Sequence, residues 1–249
     1  MNKLLYIVTL LVFTQALFAQ DAFDRGNELY RQGKFAEAAR SYESILKSGK
    51  ESAEVYFNLG NAYYKMDSVA PAIFNYEKAL LLKPNDKDIK VNLSFAQKMA
   101  IDDIKAVPKA GFSKILYGFA GSWHYDTWAW IAVGAAVLFL LLFIGYYLAG
   151  TTRLKRGFFV GMFVTLPVLL LTVATAFFVR SEAAAERPAI VFAEVVSVKS
   201  EPLESADDAF ILHAGTKVFI TDTLDNWKKI QLADDTVGWI EKSAIKEIK

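Results

Sequence analysis

Two long apolar runs without a charged residue constrain this chain most strongly. They occupy residues 128–149 and 157–179. Each holds about 22 residues, and a helix of that length measures about 33 Å, enough to cross the hydrocarbon core of a bilayer. Pro167 lies inside the second run, where a neighbouring helix can satisfy the backbone groups that proline frees. The sequence therefore predicts two transmembrane helices.

The loop between the runs, residues 150–156, sets the expected orientation. It carries Arg153, Lys155 and Arg156 and no acidic residue. Because short basic loops stay in the cytoplasm, we predict a cytoplasmic loop and place both flanking regions on the opposite side of the membrane.

Residues 1–19 have the features of a secretory signal. Lys3 precedes an apolar run that is too short to span a bilayer, and the small residue Ala19 precedes the polar Gln20. We predict a cleaved signal peptide, with an uncleaved anchor as the alternative.

Residues 105–127 are predicted to link the first exported region to the membrane. Aromatic residues suited to the headgroup layer gather at its end and at the start of the first run: Trp123, Tyr125, Trp128 and Trp130. Apolar residues recur at helical spacing just before them: Phe112, Ile115, Leu116 and Phe119. These predict a short interfacial helix or, alternatively, a helix that caps the preceding module.

Composition and motifs argue against several classes of function. The 28 basic and 27 acidic residues leave a net charge of +1, so no basic surface favours nucleic acid. The chain has no cysteine, and its two histidines, His124 and His213, are far apart. No phosphate-binding loop, nucleophile elbow or zinc-protease motif is present. We predict a protein that is not an enzyme and has no cofactor or metal.

Three adjacent acidic pairs are the candidates for paired carboxylates: Asp102-Asp103, Asp207-Asp208 and Asp234-Asp235. Adjacent residues do not share a helix face, and the last two pairs lie in predicted turns, where Asp supports local backbone geometry. These pairs are therefore not predicted to be catalytic.

The region from residue 20 to 104 repeats itself at an offset of 34 positions. The matched pairs are Gly26 with Gly60, Asn27 with Asn61, Tyr30 with Tyr64, Ala38 with Ala72, and Tyr42 with Tyr76. This period resembles the tetratricopeptide repeat, a helix-turn-helix unit that stacks on its neighbours. Asn58-Leu59 recurs at Asn92-Leu93 after Pro84, so we expect about two and a half repeats in an α-helical solenoid.

Four asparagines fall on predicted first-helix positions, which line the concave groove of such solenoids: Asn27, Asn58, Asn61 and Asn92. Their amides can hydrogen-bond the backbone of a bound peptide, so they are the candidate binding residues. The alternative is that they satisfy neighbouring helix surfaces. Phe23 and Asp88 stand where the carboxylate-gripping members of the family carry basic residues, which argues against capture of a peptide C-terminus.

A third region, residues 189–249, follows a charged connector at 180–188 and changes to a strand-like pattern. Five short strands separated by turn signals predict a small β-barrel. The runs from His213 to Val218 and from Val237 to Ile240 resemble a bacterial SH3-like domain. The resemblance implies an aromatic ligand shelf formed by Trp227, Trp239 and Phe210. The alternative is that Trp239 mainly fills the core.

The order of signal peptide, tetratricopeptide repeats, two spans and SH3-like barrel is similar to that of BatE-like members of the Bacteroides aerotolerance (Bat) family. The expected fold class is thus a multidomain α and β membrane protein. The resemblance implies a bacterial inner-membrane scaffold facing the periplasm, with membrane proteins carrying von Willebrand A domains and a MoxR-type ATPase as partners. The alternative function is a cell-wall sensor or anchor whose barrel binds peptidoglycan.

Overall fold

The computed structural model describes residues 21–105, 107, 118–121 and 123–249. The chain forms two compact units. The first combines Met1–Val107 with Arg187–Lys249, and the second is Pro108–Glu186. The predicted signal peptide and Phe112, Ile115 and Leu116 of the predicted interfacial helix lie outside the described residues.

The N-terminal part of the first unit consists of antiparallel helices. They are α1 (residues 21–31), α2 (Phe35–Lys47), α3 (Ala53–Lys65), α4 (Val69–Leu82) and α5 (Lys87–Gln97). Ser52 and Asp86 cap α3 and α5 by accepting hydrogen bonds from backbone N–H groups of the first turn. The helices therefore form two complete pairs and the first helix of a third.

The repeated glycines allow each pair of helices to approach closely. A Cβ atom on Gly26 would lie 2.5 Å from Cε1 of Tyr42, and one on Gly60 would lie 2.7 Å from Cε1 of Tyr76. The tyrosine ring fills the space that a side chain would need, so the glycine–tyrosine pair sets the helix crossing in both repeats.

The C-terminal part of the first unit is an antiparallel sheet of seven strands. They are β1 (Pro188–Val191), β2 (Val195–Lys199), β3 (Asp208–His213), β4 (Lys217–Leu224), β5 (Trp227–Gln231), β6 (Val237–Glu241) and β7 (Ile245–Glu247). Their order is β3-β2-β6-β5-β4-β1-β7, and the sheet is not closed. The predicted barrel of five strands differs from this open sheet of seven strands. One reason is that the chain turns at residues 192–194. There it leaves β1, which pairs with β4 and β7, and enters β2, which pairs with β3 and β6.

The helices and the sheet share one hydrophobic core, although the sequence presents them as separate modules. Ile190 of β1 and Ile248 are fully buried among residues of α4 and α5. Phe192 packs edge-on against Phe74 of α4, with 5.7 Å between the ring centroids. The sheet therefore covers a face of the second repeat that would otherwise meet solvent.

The segment that follows α5 contacts the sheet region at several positions. A Cβ atom on Gly215 would lie 3.6 Å from Cβ of Ala100. Asp102 bonds to the β3–β4 turn, Ile104 packs against the core of the sheet, and the backbone N–H of Val107 donates to the carbonyl of Ala233 at 3.0 Å. This segment therefore joins the helices to the sheet through packing and hydrogen bonds.

The second unit contains two long apolar helices, α6 (Tyr125–Leu148) and α7 (Thr152–Ala185). Both are long and apolar enough to cross a membrane. At 1.5 Å per residue α7 is about 51 Å long, since it includes most of the predicted loop 150–156 and of the connector 180–188. Thr151 caps its start by accepting a bond from the N–H of Leu154.

The two helices pack through small residues. A Cβ atom on Gly145 would lie 2.6 Å from Phe158, and one on Gly161 would lie 3.1 Å from Leu142. Thr165 is buried, and its hydroxyl donates to the carbonyl of Gly161 at 2.8 Å, which removes an unsatisfied polar group. Most of their large apolar side chains are exposed, as in helices whose surroundings are lipid.

Candidate protein-binding surfaces

The four candidate asparagines form two matching clusters on the first helices of the repeats. Asn27 Oδ1 accepts hydrogen bonds from the Tyr42 hydroxyl at 2.8 Å and from Asn58 Nδ2 at 3.0 Å. The same arrangement recurs in the next repeat. There, Asn61 Oδ1 accepts bonds from the Tyr76 hydroxyl at 2.7 Å and from Asn92 Nδ2 at 2.8 Å.

These clusters connect successive first helices through side chains alone. Burial raises the pKa of Tyr42 to about 12 and also raises the pKa of Tyr76, so both phenols stay protonated and donate. Asn27 and Asn61 each use both acceptor positions of the side-chain oxygen within the protein. The structure thus gives the asparagines a packing role between the helices.

The same helix face carries exposed apolar side chains at its C-terminal end. Val91 is 50% exposed and Phe95 is 48% exposed, and they lie one turn apart on α5 beside Asn92. Phe23, at the other end, packs against Tyr42 with 5.9 Å between the ring centroids. We call this surface, from Phe23 through the asparagine clusters to Phe95, the first-helix face.

The sheet brings two of the three predicted aromatic ligand residues together. Trp239 lies opposite Lys229, and Trp227 lies opposite Glu241, so the two indoles are diagonal neighbours on β5 and β6. Both are half-buried on the outer face, because the residues next to them in each strand point into the core. Lys229 Nζ lies 6.0 Å from the centroid of the Trp239 ring.

Phe210 lies on the other face of the sheet. It pairs with Val198, which is fully buried, and it packs against the core. A Cβ atom on Gly238 would lie 3.3 Å from Cε1 of Phe210. Phe210 is therefore not part of the surface that Trp227 and Trp239 share.

A cleft that was not predicted from the sequence lies on the opposite side of the helices from the asparagine clusters. Its volume is about 570 Å³. Side chains of α2, α3 and α4 form one part of its lining, and Phe192, Lys246 and Glu247 of the sheet region form the other. Because the sheet supplies a wall, no repeat pattern within the helices alone predicts this cleft.

Asp102 is the acidic-pair residue that connects the helical region with the sheet. Its carboxylate accepts bonds from the backbone N–H of His213 at 2.7 Å and from the Thr216 hydroxyl at 2.5 Å, and it lies 2.7 Å from His213 Nδ1. Burial raises the pKa of this carboxyl, but the hydrogen bonds from Thr216 and His213 outweigh it and hold the pKa below its usual value. Since Thr216 donates to Asp102, the cluster is a link between the helical region and the sheet.

In the described part of the chain, no three His, Cys, Asp or Glu side chains are placed to hold a metal ion. A tetratricopeptide repeat family model matches residues 23–88, which include nearly all of both helix pairs and the start of α5. A comparison with curated proteins found no match. The match confirms the tetratricopeptide repeats, which typically form non-catalytic scaffolds for protein–protein interaction.

Proposed function

We propose that this chain is a non-enzymatic, membrane-anchored scaffold whose first-helix face holds a partner protein. The observation that carries the proposal is the combination of hydrogen-bonded asparagine clusters with exposed Val91 and Phe95 on one side of a repeat solenoid. An apolar surface beside ordered polar groups is suited to an extended or helical peptide segment, since apolar contacts supply affinity and the polar groups supply register.

The anchor in this proposal is the α6–α7 hairpin. Residues up to Val107 and from Arg187 onward belong to one compact unit, which supports a hairpin that enters and leaves the membrane on the same side. Arg153, Lys155 and Arg156 at the tip favour the cytoplasm. The repeats and the sheet then face the periplasm of a bacterial inner membrane, and residues 1–19 serve as the export signal.

The order of the segments resembles that of BatE-like proteins, and it motivates a role in a Bat-type aerotolerance or envelope stress complex. In that setting the sheet is an SH3-like domain, and the partners are von Willebrand A-domain membrane proteins together with a MoxR-type ATPase. Two binding-type regions on one body suit a component that gathers other proteins.

Affinity purification of the crosslinked full-length protein from native membranes tests the scaffold. The test variant is Val91→Ser with Phe95→Ser, because both side chains are about half exposed and lie outside the asparagine hydrogen bonds. The control is Leu82→Ser with Val195→Ser, which removes exposed apolar groups elsewhere. We expect partners that the test variant loses and the control retains. A protein that elutes without partners, or partners that both variants retain, would contradict the proposal.

The second candidate function is attachment to peptidoglycan, and the outward-facing pair Trp227 and Trp239 favours it. Sugar rings and short peptides stack on such aromatic surfaces. Sedimentation of the detergent-solubilised protein with purified sacculi tests this function. Loss of binding in Trp227→Ala with Trp239→Ala, but not in the exposed control Ile211→Ala, is the expected result if the sheet binds the cell wall.

A further inference from the structure

The cleft between the helices and the sheet has walls of two kinds. Its helical side includes Lys47 at the end of α2 and Lys78 on α4, and its sheet side includes Lys246. Aromatic side chains line it between these lysines: Tyr56, Tyr63, Phe74 and Phe192. Its volume of about 570 Å³ lies within the range of about 300–1,000 Å³ that is usual for ligand-binding clefts.

The cleft is lined by three lysines and two carboxylates. Its two carboxylates are engaged by the protein itself: Glu43 accepts a bond from the Tyr63 hydroxyl, and Glu247 pairs with Lys228 at 3.0 Å and with Arg187 at 3.1 Å. No carboxylate of the described residues forms an ion pair with any of the three cleft lysines. The cleft therefore presents a net positive charge to a ligand.

Two of these lysines are held over aromatic rings. Lys246 Nζ lies 4.4 Å from the centroid of Phe74 and 5.6 Å from that of Phe192, and Lys78 Nζ lies 5.8 Å from that of Tyr56. A cation in contact with a ring is favourable and keeps the ammonium group next to apolar surface. A ligand that fits this arrangement has an anionic group close to an apolar one.

We propose that the cleft is a second binding site, which takes an acidic segment of a partner protein carrying Asp or Glu next to an aromatic or large aliphatic residue. Charge complementarity selects the acidic residues, and the ring-lined floor accepts the apolar side chain. This site goes beyond the first-helix face, since α2, α4 and the sheet form most of it. It exists only where the sheet is docked, because Phe192 and Lys246 complete it.

A phage-displayed library of random decapeptides, selected on the full-length protein in detergent micelles, tests the proposal. The test variant is Lys47→Glu with Lys78→Glu, and the control is Lys90→Glu with Lys242→Glu, two exposed lysines outside the cleft. We expect the wild-type protein and the control to enrich peptides with Asp or Glu beside an aromatic or large aliphatic residue. The test variant should not enrich them.

Fluorescence anisotropy of the most enriched peptide then gives affinities. We expect the Kd to rise at least about tenfold in the test variant and less than about twofold in the control, with weaker binding at high salt. The proposal would be overturned if the enriched peptides are not acidic, or if the test variant binds the peptide as tightly as the wild-type protein does. It would also be overturned if inorganic phosphate displaces the peptide as well as the unlabelled peptide does, or if Val91→Ser with Phe95→Ser abolishes binding. The last result would assign the peptide to the first-helix face, and the scaffold would stand without a second site.

Discussion

The outer helices of the two complete repeats, α2 and α4, occupy equivalent positions but meet different surroundings. Ala39 and Arg40 of α2 correspond to Ile73 and Phe74 of α4 at the repeat offset of 34 positions. Arg40 is exposed, whereas Ile73 and Phe74 are buried beneath the sheet. Glu43 of α2 corresponds to Glu77 of α4, but only Glu77 forms an ion pair with the sheet, through Lys217 at 2.8 Å.

This difference shows how a short solenoid gains stability without further repeats. A stack of two and a half units leaves apolar faces uncovered, because each repeat relies on its neighbours. Here the outer face of the second repeat is covered by the sheet, which lies at the far end of the sequence beyond the hairpin. The second repeat is therefore part of the core of the whole unit, and the first is closer to an ordinary outer repeat.

Exchanging the residues that differ between the repeats has the largest expected effect. Phe74→Arg gives α4 the residue of α2 and places a charge in the shared core, which should lower the free energy of unfolding by about 3–5 kcal/mol. Arg40→Phe, the reverse exchange on the exposed helix, should change it by less than about 0.5 kcal/mol. Guanidinium unfolding in detergent, followed by tryptophan fluorescence, measures both. Equal effects would remove the distinction between the repeats.

The tightest contact between the helices and the sheet gives the next largest effect. Gly215 has a φ of +95°, and a Cβ atom there would lie 2.9 Å from Cγ1 of Val69 on α4. Gly215→Ala should therefore cost about 2–4 kcal/mol, from backbone strain together with overpacking. Gly33→Ala is the matched control, since Gly33 has a φ of +76° and no neighbour within 4 Å. It should cost about 1 kcal/mol in the same unfolding measurement, because only the strain remains.

Acid should weaken the link between Asp102 and the sheet. The pKa values of Asp102 and Glu247 are both held below their usual range, so both groups stabilise the fold above about pH 4. That stability is lost as the pH falls through the lowered folded-state values. Asp102→Asn should cost about 1–2 kcal/mol at pH 7 and should flatten the loss of stability below pH 4. A variant with the full wild-type pH dependence would show that Asp102 does not contribute.

The asparagine clusters should show the smallest difference between the repeats. Asn27→Ala and Asn61→Ala each remove an oxygen that accepts two hydrogen bonds, from one tyrosine and one asparagine. Each should lower the free energy of unfolding by about 1–3 kcal/mol, and the two values should agree within about 0.5 kcal/mol. A larger difference would mean that the sheet also affects the first-helix face.

Local patterns predicted the repeats and the apolar helices well, because the interactions that form them lie close together in sequence. The 34-residue offset identified Gly26 and Gly60 as equivalent positions, and the structure adds that each lies against a tyrosine of the second helix. The union of helices and sheet was not predicted, since it joins Glu77 to Lys217 and Asp102 to His213 across more than a hundred positions.

One local signal of that union was present in α4, where Phe74 is apolar at the position that the exposed Arg40 occupies in the first repeat. The strand count missed β7, which has three residues and follows a short 3-10 turn at Lys242–Ala244. The asparagines were predicted on first-helix positions, but their hydrogen bonds to tyrosines of the second helices were not predicted, because these depend on how the helices cross. Phe210 was grouped with the tryptophans because alternation alone does not say which face a residue occupies after a bulge such as that at Val198/Lys199.

The tetratricopeptide repeats and the C-terminal sheet form one body, and zero-length crosslinking can detect the contact between them. A carbodiimide joins a carboxylate and an amine only when they are in contact. In native membranes, mass spectrometry should detect a link between Glu77 and Lys217, which Lys217→Gln abolishes. The Glu54–Lys83 pair within the repeats is the internal control. A Glu54–Lys83 link without a Glu77–Lys217 link would contradict the claim, because the helices would then be folded with the sheet undocked.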